Sequence, residues 1–333
     1  MRPSTTDPGV TGTSRSPIWV AYAFGSFFCY GVTNSLLGAL VEWSGHDPST
    51  PITAPFILWI TMGFVGVVAA GLFKGTGRGY KGIPSRRFVW VAAVAGITLS
   101  AGMLTLKLGL SSDATARGPI VAITSANSML VALGAFAVLR EKLSYKQMLG
   151  MLVIVGGIIV MALGAGTAAS TRALLFGIAT LVLFGITNFL LKYAGHHGSN
   201  SVTTTAILWL SAGVCGVLAI GYCLIRYGHL PGMVRPSLIL WAVLAGLTLG
   251  LGMLCLKLAV TKGPGGPATA IIGSNAILVT LFEFGVFSHV PPAQKLVGMG
   301  IAIVGIIALA LAGGIRRAAA EMPVRVMGKR DPV

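Results

Sequence analysis

Charged residues are scarce in this sequence. Asp, Glu, Lys and Arg make up 10% of its 333 residues, and 8 of these charged residues are acidic. A soluble domain carries roughly 25% charged residues, so this composition excludes an ordinary soluble globular protein. Hydrophobic residues make up 55% of the chain, and the mean hydropathy is +0.86. Both values are typical of a protein that lies in a membrane.

Cysteine and the common catalytic motifs are also scarce. The 4 cysteines stand in apolar stretches without a Cys-x-x-Cys pair, which argues against a disulfide framework or a zinc site. The sequence contains no P-loop, no dinucleotide-binding glycine pattern and no Gly-x-Ser-x-Gly motif. The apolar stretches supply few of the convergent groups that an active site within the membrane would need. We therefore expect no enzymatic activity, no cofactor and no bound metal.

Long apolar runs dominate what is present. Many approach about twenty residues, the length that crosses a bilayer as a helix. Helices pair their own backbone groups in lipid, and the short alternating segments of a membrane β-barrel are missing. The sequence therefore predicts an all-α membrane protein with ten transmembrane helices. The predicted spans are 18–40, 52–73, 88–110, 118–139, 147–166, 173–193, 202–225, 238–259, 267–288 and 296–315.

Positive charge is distributed unevenly between the two sides of these spans. The net charge is +16, and most Lys and Arg residues lie in the tails and in the loops after even-numbered spans. The positive-inside rule places that side, with both chain ends, in the cytoplasm. We expect a multi-pass plasma-membrane (inner-membrane) protein with a disordered tail at 1–17, a basic tail at 316–333 and no nucleic-acid partner. The opposite side holds Arg117, Arg172, Arg226, Arg235 and Lys295.

The sequence contains an internal repeat. The segment GMLTLKL at 102–108 recurs as GMLCLKL at 252–258, and corresponding positions lie 148 to 154 residues apart. Two halves of five spans each, 18–166 and 173–315, are therefore predicted. Five is an odd number, so the second half enters the membrane from the opposite side, as an inverted repeat. Other matched pairs are Asn34 with Asn188, Trp59 with Trp209, Asn127 with Asn275 and Gly150 with Gly298.

Two motifs resemble those of a known family. Arg-Glu-Lys-Leu-Ser at 140–144, followed by Gln147 and the glycine-rich run 150–157, is similar to the "G-E-x-L-S/T…Q…G" ending of EamA-type domains in the drug/metabolite transporter superfamily. The runs that begin at Lys107 and Lys257, each leading to a Gly-Pro, resemble the "K-A-L…G-P" segment. In the second half, His-Val-Pro-Pro at 289–292 replaces the Glu-Lys-Leu-Ser of the first. The resemblance implies ten spans, cytoplasmic termini and transport of small metabolites such as amino acids, sugars, phosphorylated compounds or amines.

Two lysines lie at matched positions within predicted spans. Charged side chains in a membrane are rare and often functional, and Lys107 and Lys257 occupy matched positions of the two halves. Inversion places them towards opposite faces, which fits two gates or two flanks of one cavity. A lysine near the end of a span can also extend to the headgroups or pair locally. In a cavity, these lysines would favour anionic groups.

Uncharged polar residues also recur in matched pairs. Each can line a cavity and contact substrate, or form hydrogen bonds between helices and within its own helix. The two tryptophans can stack on substrate, pack between helices or anchor at the interface. The candidate substrate-binding residues beside the lysines are Asn34, Asn127, Asn188, Asn275, Thr33, Thr187, Trp59 and Trp209.

Two glutamates are further candidates. Glu283 is the acidic residue inside a predicted span, so it is a candidate for coupling to a proton or cation. Glu141 lies in the loop after span four, where we expect it to pair with Arg140 or Lys142 or to cap the next helix. The first span has no acidic residue before Glu42, which argues against the cation/proton mechanism of small multidrug transporters.

These observations predict a secondary transporter that works by alternating access. Its substrate would be a small neutral, zwitterionic or anionic metabolite, such as an amino acid or organic acid. The partners are that substrate and membrane lipids, and the chain is a monomer or a homodimer. The alternatives are a channel, a flippase for lipids or lipid-linked carriers, a multidrug or amine exporter, a membrane-embedded enzyme, and a protein that only assembles other components.

Overall fold

The computed structural model describes most of the predicted membrane region. The described residues are 18–76, 85–112, 120, 123–124, 126–141, 143–163, 171–233, 235–288 and 292–320. The predicted tail at 1–17 and the end of the other tail, 321–333, lie outside them.

Every regular element in the described residues is an α-helix. The first half of the chain forms α1 (Ile18–Trp43), α2 (Thr50–Thr76), α3 (Arg86–Ser112), α4 (Asn127–Leu139) and α5 (Tyr145–Leu163). The second half forms α6 (Thr171–His196), α7 (Ser201–Tyr227), α8 (Pro236–Lys262), α9 (Gly265–Gly273), α10 (Ala276–Phe287) and α11 (Ala293–Ala320).

Seven segments of the described chain are long and apolar enough to cross a membrane. They comprise α1, α3, α6, α7, α8, most of α2, and the continuous stretch of α9 and α10. Shorter apolar stretches lie in α4, α5 and α11. The chain is therefore a multi-pass helical membrane protein, and the predicted all-α class is confirmed for the part described.

Three predicted spans differ from the helices observed. Span four was predicted over 118–139, but a turn at Ala126 precedes α4, which begins at Asn127. Span nine was predicted as one helix over 267–288, but it is interrupted between Gly273 and Ala276. The last helix continues to Ala320, five residues into the segment predicted as a basic tail. An apolar sequence pattern locates a span, but it does not reveal a break of two residues within it.

The helices pack as pairs that join the two halves of the chain. Helix α1 lies against α8, α3 against α6, α2 against α7, and α5 against α11. The α2–α7 contact is closest at Gly63 and Gly213, where a Cβ on either glycine would lie 2.6 Å from the other's Cα. Side chains are excluded at both positions, which lets the two backbones touch.

Equivalent hydrogen bonds hold the α1–α8 and α3–α6 pairs together. In one pair, Thr33 Oγ1 lies 2.8 Å from Thr248 Oγ1 and 3.3 Å from the Ala245 carbonyl oxygen. In the other, Thr187 Oγ1 lies 2.8 Å from Thr98 Oγ1, and it also contacts a backbone carbonyl of α3. Thr33 and Thr187 are matched in the repeat, as are Thr248 and Thr98.

Candidate functional site

A cavity of about 860 Å³ lies between the two halves. Side chains from α1, α3, α6, α8, α9 and α10 form most of its wall. Its deep part is lined by Asn34, Asn127, Asn188, Asn275, Thr33 and Thr124, together with Tyr30, Met103 and Phe184. A space of this size accommodates a small organic molecule.

Two asparagines lie where the helical path is interrupted. Asn127 begins α4 after a turn at Ala126, and Asn275 lies in the turn between α9 and α10. The two turns share one hydrogen bond, in which the Ala126 and Ser274 amides each donate to a carbonyl three residues earlier. Breaks of this kind at membrane depth occur where the backbone lines a cavity.

Backbone carbonyls at these breaks determine how the asparagine amides are oriented. Asn127 Nδ2 donates to the Thr124 carbonyl at 2.8 Å, and Asn275 Nδ2 donates to the Ile272 carbonyl at 2.8 Å. A carbonyl oxygen can only accept, so the amide nitrogen must face it. The Oδ1 atom of each asparagine is thereby turned towards a neighbouring helix.

These oxygens in turn orient a second pair of amides. Asn275 Oδ1 accepts from Asn34 Nδ2 at 2.9 Å, and Asn127 Oδ1 accepts from Asn188 Nδ2 at 3.1 Å. Both contacts cross between the halves, and they correspond to each other in the repeat. Among the described residues, no donor forms a hydrogen bond with Oδ1 of Asn34 or Asn188. The cavity therefore has two amide oxygens that can accept hydrogen bonds from a ligand.

One cationic side chain lines the cavity between its deep part and its mouth. Lys107, near the end of α3, has no hydrogen-bond or ion-pair partner among the described residues. Side chains on a helix tilt towards its N-terminus, which directs Lys107 from the mouth towards the deep part. Its ammonium group is available to a ligand that carries negative charge.

The mouth of the cavity lies at one end of the bundle. It is lined by Glu42, His46 and Asp47 beyond the end of α1, and by Lys295 at the start of α11. Glu42 and His46 lie 3.1 Å apart, and Asp47 accepts a hydrogen bond from the Ser49 amide. At about 1.5 Å per residue, Glu42 is roughly 35 Å along α1 from Trp19, near the other end of the bundle.

That other end is closed by two buried lysines. Lys257 is fully buried and donates to the Leu191 carbonyl at 2.7 Å. Lys192, at 3% exposure, donates to the Gly263 carbonyl at 2.6 Å and lies 3.1 Å from Glu141. Trp19 packs on Gly263 so closely that a Cβ there would lie 2.4 Å from its ring. Helices α6 and α8 are thereby held together across the axis of the cavity.

The burial of Glu141 depends on one backbone angle. Arg140 ends α4 with a φ of 52°, in the left-handed region that residues other than glycine seldom adopt. This turn directs the following residue back into the bundle, where Glu141 is 7% exposed. Glu141 was expected to pair with Arg140 or Lys142 or to cap the next helix. Its Oε2 lies beside Lys192 of α6, a partner distant in sequence that was not predicted.

The structure separates the predicted site residues into two groups. The four asparagines, Thr33 and Lys107 line the cavity. Four predicted residues do not line it: Thr187, Lys257, Trp59 and Trp209. Each is buried in contacts between helices, and Trp59 Nε1 lies 3.4 Å from Met103 Sδ. The backbone of Glu283 lies in α10, but its side chain is outside the described residues.

Lys192 is the principal residue that the sequence analysis missed. It stands near the end of predicted span 173–193 and was not considered there as a candidate site residue. Helix α6 continues to His196, so the lysine is within the helix and buried. A repeat comparison offers no signal for it, since Gly38 occupies the matched position.

The comparisons with known proteins identify a fold. No family model matches the chain, and no curated protein is similar to it. Among solved structures, 28 chains match. One of them, described only as the crystal structure of a protein, superposes with a TM-score of 0.69 at 18% identity. The alignment covers 89% of this chain and 98% of that chain. At this identity the likeness concerns the fold alone.

Proposed function

We propose that this protein is a secondary transporter that moves a small metabolite across the plasma membrane by alternating access. The observation that carries the proposal is the cavity itself, which lies between matched halves, opens at one end of the bundle and is closed at the other. A transporter needs such a site, reachable from one side at a time. The resemblance of the sequence to EamA-type transporters agrees with this.

The proposed architecture is ten spans arranged as two inverted repeats of five. Equivalent contacts support it, because Thr33 and Thr187 bond to α8 and α3 in the same way. The asparagine pairs Asn34–Asn275 and Asn188–Asn127 are related by the same correspondence. With two similar halves facing opposite ways, exchange of their conformations would close the open end and open the closed end.

The cavity supports a substrate that is neutral, zwitterionic or anionic. Lys107 offers a positive charge, and the oxygens of Asn34 and Asn188 accept hydrogen bonds from hydroxyl, amide or ammonium groups. The acidic residues among its described lining are Glu42 and Asp47 at the mouth. An exporter of cationic amines needs an acidic group deep in the site, so the lining favours a metabolite such as an amino acid or organic acid.

The test is uptake by vesicles containing the purified protein. A panel of radiolabelled amino acids, organic acids, sugar phosphates and amines would be compared, with fluorescent lipids added to detect flippase activity. For the transported anion or zwitterion, we expect Lys107→Gln to raise KM by about ten- to a hundredfold, because a charge-assisted hydrogen bond is lost. Lys146→Gln, on the exposed start of α5, is the matched control.

Two outcomes would contradict the proposal. Uptake of none of the solutes by protein that remains folded, together with lipid movement between leaflets, would identify a flippase. Transport of amines alone, with Lys107→Gln as active as the wild type, would overturn the substrate assignment.

A further inference from the structure

The repeat-matched lysines Lys107 and Lys257 are in different states. Lys257 is fully buried and donates to the carbonyl of Leu191, whereas Lys107 faces the open cavity. The residue matched to Leu191 is Leu37, which lines the same cavity opposite α3. Helix α6 packs against α8 at the closed end, while the cavity separates α1 from α3 at the open end. The lysine–carbonyl contact is thus formed at the closed end, whereas the matched contact at the open end is not formed.

The closed end also has an ion pair that the sequence does not repeat. Lys192 and Glu141 lie 3.1 Å apart there, with 3% and 7% of their surfaces exposed. The matched positions of the other half are Gly38 and His289. A charge pair between those two positions cannot form, because glycine has no side chain. The ion pair at the closed end therefore has no counterpart at the matched positions of the other half.

We propose that the two lysines are exchanging gate residues, and that the Lys192–Glu141 pair biases the protein towards the state described here. When the open end closes, Lys107 Nζ reaches the Leu37 carbonyl, and Lys257 leaves Leu191 as the other end opens. The inference rests on the proposed function, since it assigns the gates of the same cavity. The three residues Lys257, Lys192 and Glu141 position α6 and α8 and need not touch substrate.

Elementary energetics favours this exchange. An ammonium removed from water needs an acceptor, and a backbone carbonyl supplies one by its second lone pair without disturbing its helix. Each conformation then buries one lysine with an acceptor and leaves the other hydrated in the cavity. The Lys192–Glu141 pair exists in one conformation, and removal of one partner of a buried pair is strongly unfavourable for the state that contains it.

The experiment measures which end is accessible, and it needs no substrate. In a variant lacking the natural cysteines, a single cysteine is placed at Leu110 or Val260. These positions are matched in the repeat, and Leu110 lines the open cavity whereas Val260 is fully buried near Lys257. Each cysteine is labelled with a membrane-impermeant thiol reagent from the side on which its end of the cavity opens.

We expect Glu141→Gln to raise the labelling rate at Val260→Cys by about tenfold or more and to slow labelling at Leu110→Cys. Glu42→Gln is the matched control, because Glu42 forms its 3.1 Å contact with His46 at the open mouth. It should leave both rates unchanged. Glu141→Asp, which keeps the charge and shortens the side chain, replaces the glutamine variant if that protein does not fold.

Adding Lys107→Gln to Glu141→Gln should reverse these changes in labelling rate. The state favoured by Glu141→Gln is held by the contact between Lys107 and the Leu37 carbonyl, and the second substitution removes that contact. Labelling at Val260→Cys should fall and labelling at Leu110→Cys should recover. An unchanged or enhanced shift in the double variant would overturn the exchange, and equal rates in Glu141→Gln and wild type would overturn the bias. Either result with transport intact leaves the proposed function standing. Loss of that function would instead appear as absent uptake by the wild-type protein.

Discussion

At the scale of single residues, the direction of a hydrogen bond decides what the cavity can bind. Asn127 and Asn275 each donate one N–H to a backbone carbonyl, and their oxygens accept from Asn188 and Asn34. The amide oxygens that accept no hydrogen bond from the described residues are those of Asn34 and Asn188. Both of these asparagines line the cavity, so a ligand there meets two amide oxygens that can accept hydrogen bonds.

Asn275→Asp tests this orientation. The substitution removes the donor to the Ile272 carbonyl and places a carboxylate against it, so we expect a stability loss of about 1–3 kcal/mol. The thermal unfolding midpoint of the detergent-solubilised protein should fall. Asn200→Asp is the control, because Asn200 caps α7 by accepting from two backbone amides, which aspartate does equally well. Equal midpoints for both variants would show that the amide is not oriented by Ile272.

At the scale of helices, glycine sets how closely the two halves approach. The α2–α7 contact has no room for a Cβ at Gly63 or Gly213, and a Cβ at Gly157 of α5 would lie 2.8 Å from the Gly298 carbonyl oxygen of α11. In lipid no hydrophobic effect draws helices together, so close backbone contact supplies much of the attraction.

Gly63→Ala and Gly213→Ala should destabilise the protein by similar amounts, about 1–3 kcal/mol each, because each added methyl group forces the same two backbones apart. Thermal unfolding measured in detergent gives the comparison. Gly71→Ala is the control in the same helix, since a Cβ there meets nothing within 4 Å. If Gly71→Ala lowered the unfolding midpoint as much as Gly63→Ala and Gly213→Ala, the loss of stability could not be attributed to the contact between the helices.

At the scale of the whole molecule, the two ends of the bundle differ in charge and in packing. Lys192 and Glu141 close the end that also carries the start of α1, while Glu42, Asp47 and Lys295 surround the open mouth. From the distribution of Lys and Arg, the positive-inside rule predicts that the closed end faces the cytoplasm. The cavity described here would then open to the outside.

Single cysteines at exposed turns test that sidedness. We expect an impermeant reagent to label Pro48→Cys and His229→Cys in intact cells, and to label Ser85→Cys and Asn200→Cys only after the membrane is opened. All four positions are exposed, so accessibility within the fold does not limit the reaction. Labelling of one member of each set in intact cells would contradict the inverted arrangement of the two halves.

The membrane spans were the most predictable part of the structure. The helices begin and end within a few residues of the predicted spans, apart from the turn at Ala126 before α4, the break near Asn275 and the extension of α11 to Ala320. The matched asparagines were recognised as candidates because polar residues recur rarely in apolar spans. The pairing of Glu141 with Lys192 was not predicted, because it depends on a left-handed turn at Arg140 and on where α6 ends.

By itself, the sequence determined which segments are apolar helices and which polar residues recur between them. A helix in lipid satisfies its own backbone hydrogen bonds, so its existence depends on local composition alone. Only the tertiary structure decided the roles of Lys107 and Lys257, which lie in nearly identical segments, GMLTLKL and GMLCLKL. One faces a cavity and the other a backbone carbonyl, because the environment of an ammonium group is set by the helices packed around it.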